Sequence, residues 1–162
     1  MIIFGVDPGL QLCGYAAVEV EGSCERLLEA GTFSTDSGKA IEARLNQIAM
    51  DTESLLEKFQ PDIVAVEDLY SHYAHPKTAI LMGHARGVIL EKAHNFGVEV
   101  KSFAATKIKK SITGNGRAPK AQMQRSIQSI LGLAALPEPA DVADAIAAAL
   151  CCANSLAGTG KI

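Results

Sequence analysis

With 162 residues, 48% of them apolar and 20% charged, the chain has the size and make-up of one compact domain, which excludes a disordered protein. No apolar run approaches the roughly 20 residues that span a bilayer, and the opening Met1-Ile2-Ile3-Phe4-Gly5-Val6-Asp7 meets a carboxylate too early for a secretory signal, so a cytoplasmic protein with no membrane contact is expected. Net charge is −3, yet residues 100–137 carry no acid and seven bases (Lys101, Lys107, Lys109, Lys110, Arg117, Lys120, Arg125), leaving 8 basic and 18 acidic side chains elsewhere. Such segregation is either a nucleic-acid footprint or a solvated basic face.

In chain order, residues 2–6 form an apolar run closed by Asp7-Pro8-Gly9, which predicts a buried strand and a turn. Residues 15–20 alternate apolar and polar, and 24–34 is again strand-like. With Glu21-Gly22 between them, an antiparallel meander should follow the first strand. From 40 to 59, Ile41, Leu45, Ile48, Leu55, Leu56 and Phe59 recur at helical spacing, and Pro61 stops the helix. Ile63-Val64-Ala65-Val66 is wholly apolar, as suits a strand covered on both faces. A helix over 76–95, ended near Gly97, leads to a last strand over 98–103. Helical segments follow at 104–112, 120–131 and 139–156, with Gly114-Asn115-Gly116 as a flexible link. The pattern predicts an α/β fold, a mixed five-stranded sheet with helices on both faces, in a single domain over 1–157 with a flexible tail at 158–162.

Cys13, Cys24, Cys151 and Cys152 have no metal-ligand spacing, and the vicinal pair, set among alanines, reads as buried inert thiols. His72, His75, His84 and His94 match no zinc motif.

The acids are more informative. Asp7 and Glu67 each end an apolar strand, and in open α/β sheets ligands gather at the carboxyl ends of strands. Asp7-Pro8-Gly9 alone also reads as a plain turn. Glu67, directly after four buried apolar residues, is costly unless paired or coordinated. Asp141 and Asp144, at i and i+3, share one face of the last helix, where small Ala140, Ala143, Ala145 and Ala147 would let it approach the sheet. Acids just after Pro139 equally complement a helix N-terminus without chemistry. Taken together, the four fit two-metal phosphodiester hydrolysis: Mg²⁺ takes hard oxygen ligands, and ions ~3.5–4 Å apart clamp the attacking and leaving oxygens.

At these residues the chain resembles the RuvC family of Holliday-junction resolvases, within the ribonuclease H-like superfamily. The resemblance rests on Gly5-Val6-Asp7-Pro8-Gly9 with Gly14-Tyr15, Val66-Glu67 following Gln60-Pro61-Asp62, and Gly83-His84-Ala85-Arg86-Gly87-Val88. It continues through Lys109 to Lys120 and Ala140-Asp141-Val142-Ala143-Asp144-Ala145, in order from residue 2 to about 155. It implies a ribonuclease H-like fold and a crossover junction endodeoxyribonuclease. Such an enzyme acts as a homodimer, resolving four-way junction DNA by symmetric paired nicks in recombination and repair. Asp7, Glu67, Asp141 and Asp144 would be catalytic metal ligands for two Mg²⁺ per site, with Mn²⁺ as the alternative. Lys109 and Lys120 match family lysines at the DNA-facing edge of the active site, and Lys107 and Arg117 of the basic segment are expected to bind DNA with them. Tyr70 stands where the family usually has a phenylalanine that stacks near the junction centre. The resemblance also implies a branch-migration helicase partner, the complex of RuvA and RuvB. The helix at 76–95, apolar at Ile80, Leu81, Met82, Val88, Ile89 and Leu90 beyond what one buried stripe requires, would be the dimer helix. Tyr73-Ala74-His75-Pro76 departs from the family pattern, and no basic tail follows the last helix. A related nuclease of this superfamily acting on structured RNA, single-stranded DNA or other branched nucleic acid would share the acids. A sugar-kinase or actin-like ATPase would need a second domain and phosphate loop, and a catalytically dead junction binder would not need all four acids.

Overall fold

The computed structural model of the chain describes residues 1–69 and 76–158. Glu21 and Cys24 close a tight reversal, with Gly22 in the left-handed region at φ 59°, so β2 (Leu12–Glu21) folds back on β3 (Cys24–Ser34). β1 (Ile2–Asp7) pairs antiparallel with β2 on one side and parallel with β4 (Ile63–Glu67) on the other. β5 (Glu99–Phe103) continues the parallel half, and the sheet order is β3-β2-β1-β4-β5. The mixed five-stranded sheet expected from the sequence is present.

Helices cover both faces. α1 (Ile41–Phe59) and α2 (Pro76–Asn95) pack on the face of Phe4, Val6, Ala17 and Val64, burying Ile48, Leu56, Ala85 and Ile89. α3 (Ala105–Thr113), α4 (Lys120–Leu131) and α5 (Ala140–Ala157) pack on the face of Ile3, Ala16, Val18, Ile63 and Ala65. At ~25 cal/mol per Å² of apolar surface, these two layers dominate the stability of the sheet.

Boundaries depart from expectation for local reasons. Ala40, Ala104 and Pro139 are N-caps rather than first helical residues, and none makes a side-chain capping bond. α1 ends in a left-handed Gln60 at φ 44°, whose N–H bonds Leu56 O at 2.8 Å, one residue before Pro61. β2 starts three residues earlier than its alternation suggests, because its pairing with β1 runs on to Asp7↔Gly14. Gly114-Asn115-Gly116 is a stitched turn, not a loose link. Gly114 caps α3 at φ 76°, Thr113 Oγ1 donates to Asn115 O at 3.0 Å, and Arg117 N–H donates to Asn115 Oδ1 at 3.0 Å. Against the expectation that no segment could span a bilayer, α5 is long and apolar enough by composition to cross one, with mean hydropathy 1.4, but 67% of it is buried inside the fold. It is the central core helix. Of the predicted tail, 159–162 lies outside the described residues, as do Tyr70 and residues 73–75 of the departing stretch.

Candidate active site

Parallel pairing brings the first two acids together. β1 and β4 run in register to Val6↔Val66, and each strand ends one residue later, at Asp7 and Glu67. Side chains alternate faces along a strand. Ile3 and Gly5 precede Asp7, and Ile63 and Ala65 precede Glu67, on the face covered by α5. Both carboxylates therefore emerge at the carboxyl edge of the sheet toward that helix.

Two glycines set how closely α5 lies. A Cβ on Gly14, the ladder partner of Asp7, would stand 2.0 Å from Asp141 O. One on Gly5 would stand 2.1 Å from Ala145 O and 3.0 Å from Ala149 Cβ. Only bare backbone lets the first turns of α5, bearing Asp141 and Asp144, rest against β1 and β2.

The electrostatics show that the four acids share a field. Asp7 is raised from 3.8 to about 7, first by burial, then by the charges of Asp144, Glu67 and Asp141, with Lys120 opposing. Glu67 is raised by burial and then by Asp144, and Asp144 by burial and by Asp141. The charges of Lys109 and Lys120 pull both of these back down, so both lysines lie within electrostatic reach of the acids. Elsewhere the chain pairs acids with cations: Glu19 with Arg26, Glu29 with Lys58, Glu53 with Lys92. Among the described residues, none of the four site carboxylates accepts a hydrogen bond or forms a close ion pair. Nor do three His, Cys, Asp or Glu side chains there already surround a single point as ligands of one ion. An all-oxygen set of mutually repelling, unpaired acids suits hard divalent cations, which take oxygen ligands and relieve that repulsion. Neither Asp141 nor Asp144 caps α5 by a hydrogen bond. Asp141 lies in the first turn, where it complements the helix dipole, and Asp144 lies beyond it.

The other expected residues divide. Lys107 sits with Nζ 4.9 Å from the Phe103 ring centre, engaged within the chain, and Arg117 is exposed on the turn after α3. Three polar residues that hold this end of the sheet are not among the expected site residues, though Arg86 lies in the 83–88 stretch that carries the family resemblance. Thr35 Oγ1 donates to Leu10 O at 2.5 Å, Arg44 Nε donates to Thr35 Oγ1 at 2.9 Å, and Arg86 reaches the end of β4. Cys13, its thiol pushed up to about 12 by burial, donates to Gly9 O at 2.7 Å, which cinches the loop after Asp7. Asp7, Pro8, Glu67, Asp68, Leu69 and Met82 line the resulting cleft.

A family profile described as crossover junction endodeoxyribonuclease RuvC matches residues 3–152. The crossover junction endodeoxyribonuclease RuvC of Rhodopirellula baltica is 46% identical over 149 residues, covering 92% of this chain and 84% of the relative. That of Alkaliphilus oremlandii is 39% identical over 155 residues, covering 96% and 94%. The solved structure of Thermus thermophilus RuvC superposes with a TM-score of 0.89 at 32% identity, over 99% of this chain and 98% of that one. The same protein in complex with Holliday junction substrate gives 0.89 at 30% identity, with the same coverage.

Proposed function

The chain belongs to the RuvC family of crossover junction endodeoxyribonucleases, and from that premise we propose that Asp7, Glu67, Asp141 and Asp144 form the centre at which it nicks four-way DNA junctions. It is a junction-resolving nuclease with a ribonuclease H-like fold, and its family is metal-dependent. The carrying observation is the convergence of four unpaired acids at one sheet edge, with Asp7 held near 7 by burial and by the other three. Mg²⁺, or Mn²⁺ in its place, two ions per site, would polarise the scissile phosphate, activate water and stabilise the leaving oxygen. Asp7 and Glu67 from the sheet edge and Asp141 and Asp144 from α5 would hold these ions, with Asp7 feeling the charge of all three partners. Asp7 must lose its proton to serve, so loading is linked to pH.

Lys109 and Lys120, beside the acids, meet the phosphate to be cut. Arg117 and Lys107 extend the positive track along the backbone, with Lys107 first leaving the Phe103 ring. Tyr70 supplies a stacking face at the junction centre, where base stacking contributes roughly 1–3 kcal/mol. Paired nicks require a twofold assembly, and α2 supplies the homodimer helix. Substrate delivery in the cytoplasm by the branch-migration helicase complex of RuvA and RuvB completes the reading. The test compares a labelled mobile four-way junction with matched duplex and structured RNA, with and without Mg²⁺. Symmetric nicks on the junction alone, and only with metal, are expected. Equal cutting of RNA would replace junction resolution by a broader nuclease.

A further inference from the structure

We propose that Arg86 is a positioning residue for Glu67, latching the end of β4 to α2 and β5 from the face of the sheet opposite the acids. Its guanidinium meets three acceptors. Nε donates to the Glu67 carbonyl at 3.3 Å, and Nη2 donates to Ser102 Oγ at 2.7 Å and to Asp68 Oδ1 at 3.4 Å. The side chain is 18% exposed. Its neighbours on α2, Ala85 and Ile89, are fully covered in the core, so the arginine is anchored at its base. On the other side, Asp68 N–H donates to Phe103 O at 2.9 Å, and Glu67 faces Phe103 in the β4–β5 ladder. Arg86 therefore locks the point where β4 leaves the sheet.

The placement matters because, among the described residues, the Glu67 carboxylate has no hydrogen bond of its own. Its position is set by its backbone, and the backbone carbonyl is what Arg86 holds. A planar guanidinium spans three acceptors in fixed directions, whereas a lysine offers one compact ammonium on a flexible stem. Outer-shell partners that orient ligands typically change metal affinity 10–100-fold when removed. This inference rests on the reading of Glu67 as a metal-binding acid.

The experiment follows Mg²⁺ binding by the rise in melting temperature across a metal titration, without DNA, and separately follows the Mg²⁺ dependence of junction nicking. Wild type, Arg86→Lys, Arg86→Gln and Ser102→Ala are compared. In both Arg86 variants the half-saturating Mg²⁺ concentration should rise about tenfold or more, with Arg86→Lys the less affected of the two. Ser102→Ala should shift it in the same direction by less, and junction affinity in chelator should stay at the wild-type level. Variants that melt lower in chelator yet keep the wild-type metal midpoint in both readouts would make Arg86 a fold brace only and overturn the proposal. Ser102→Ala decides if the Arg86 variants do not fold: an unshifted midpoint there sinks it. A wild type whose melting ignores Mg²⁺ would instead remove the metal reading of the acids, and this inference with it.

Discussion

Asp7 shows how one buried acid links chemistry to stability. Its folded pKa is raised, from 3.8 to about 7. Folding is therefore unpenalised below about 4, loses stability as pH rises through about 7, and bears the full cost above that. The cost is on the order of 4 kcal/mol for the metal-free protein. Asp7→Asn should abolish nicking while leaving gel-shift affinity for the junction intact. In chelator at pH 8 it should melt above wild type, an advantage that vanishes near pH 4. Mg²⁺ at 100 times its dissociation constant should add about 2.7 kcal/mol to wild type and less to the mutant. A mutant that melts below wild type in chelator would mean that the acid is held by favourable contacts. Gly14 makes a second, steric prediction. Gly14→Ala places a methyl group 2.0 Å from Asp141 O, so α5 must retreat. Denaturant unfolding should register about 1–3 kcal/mol of destabilisation, and single-turnover nicking should fall at least tenfold. Wild-type values for both would show that α5 has slack the geometry does not suggest.

At the scale of elements, α3, the turn after it and the start of α4 act as one basic unit. Gly114 and the Asn115 side chain fix the turn, which sets Lys109 and Lys120 on the side of the acids. Removing one cation that neutralises a DNA phosphate should reduce the log–log salt slope of binding by about 0.9. Lys120→Ala should therefore flatten the salt dependence of junction affinity by about that amount and slow nicking, measured by titration from low to moderate salt. An unchanged slope with unchanged nicking would return Lys120 to the solvated surface. α5 plays the complementary part: its small residues carry it against the sheet, and its first turns bring two acids close enough to act on Asp7 by charge.

For the whole molecule, the two faces of the sheet divide the labour. The α3–α5 face carries the acids and their lysines, and the α1–α2 face carries the apolar helix proposed for dimerisation. On α2, Ala85, Ile89 and Ala93 are buried within the fold, while Ile80 is 60% exposed. Analytical ultracentrifugation at micromolar concentration should give a dimer. Ile80→Asp should shift it toward monomer and turn paired nicks into single ones, with melting temperature little changed. A wild-type monomer would remove the twofold reading.

Elements were legible in the sequence because their signals are local. Alternation marked β2, the unbroken apolar run marked β4, and the 3.6 spacing from Ile41 to Phe59 marked α1. The four acids were legible as strand-end and helix-start residues, and their order carried the family resemblance. How they meet was not legible. Asp7 lies beside Glu67 because α1 carries the chain across so that β4 pairs with β1, sixty residues on. Asp141 and Asp144 reach them because Gly5 and Gly14 leave no side chain in the way. Arg86, Thr35 and Arg44 act through hydrogen bonds to residues distant in the chain, and no local pattern announces those partners, even for Arg86 within its 83–88 stretch. Periodicity records which face of an element is buried. Which element it is buried against, and which carbonyl a guanidinium finds there, is decided only when the chain closes on itself.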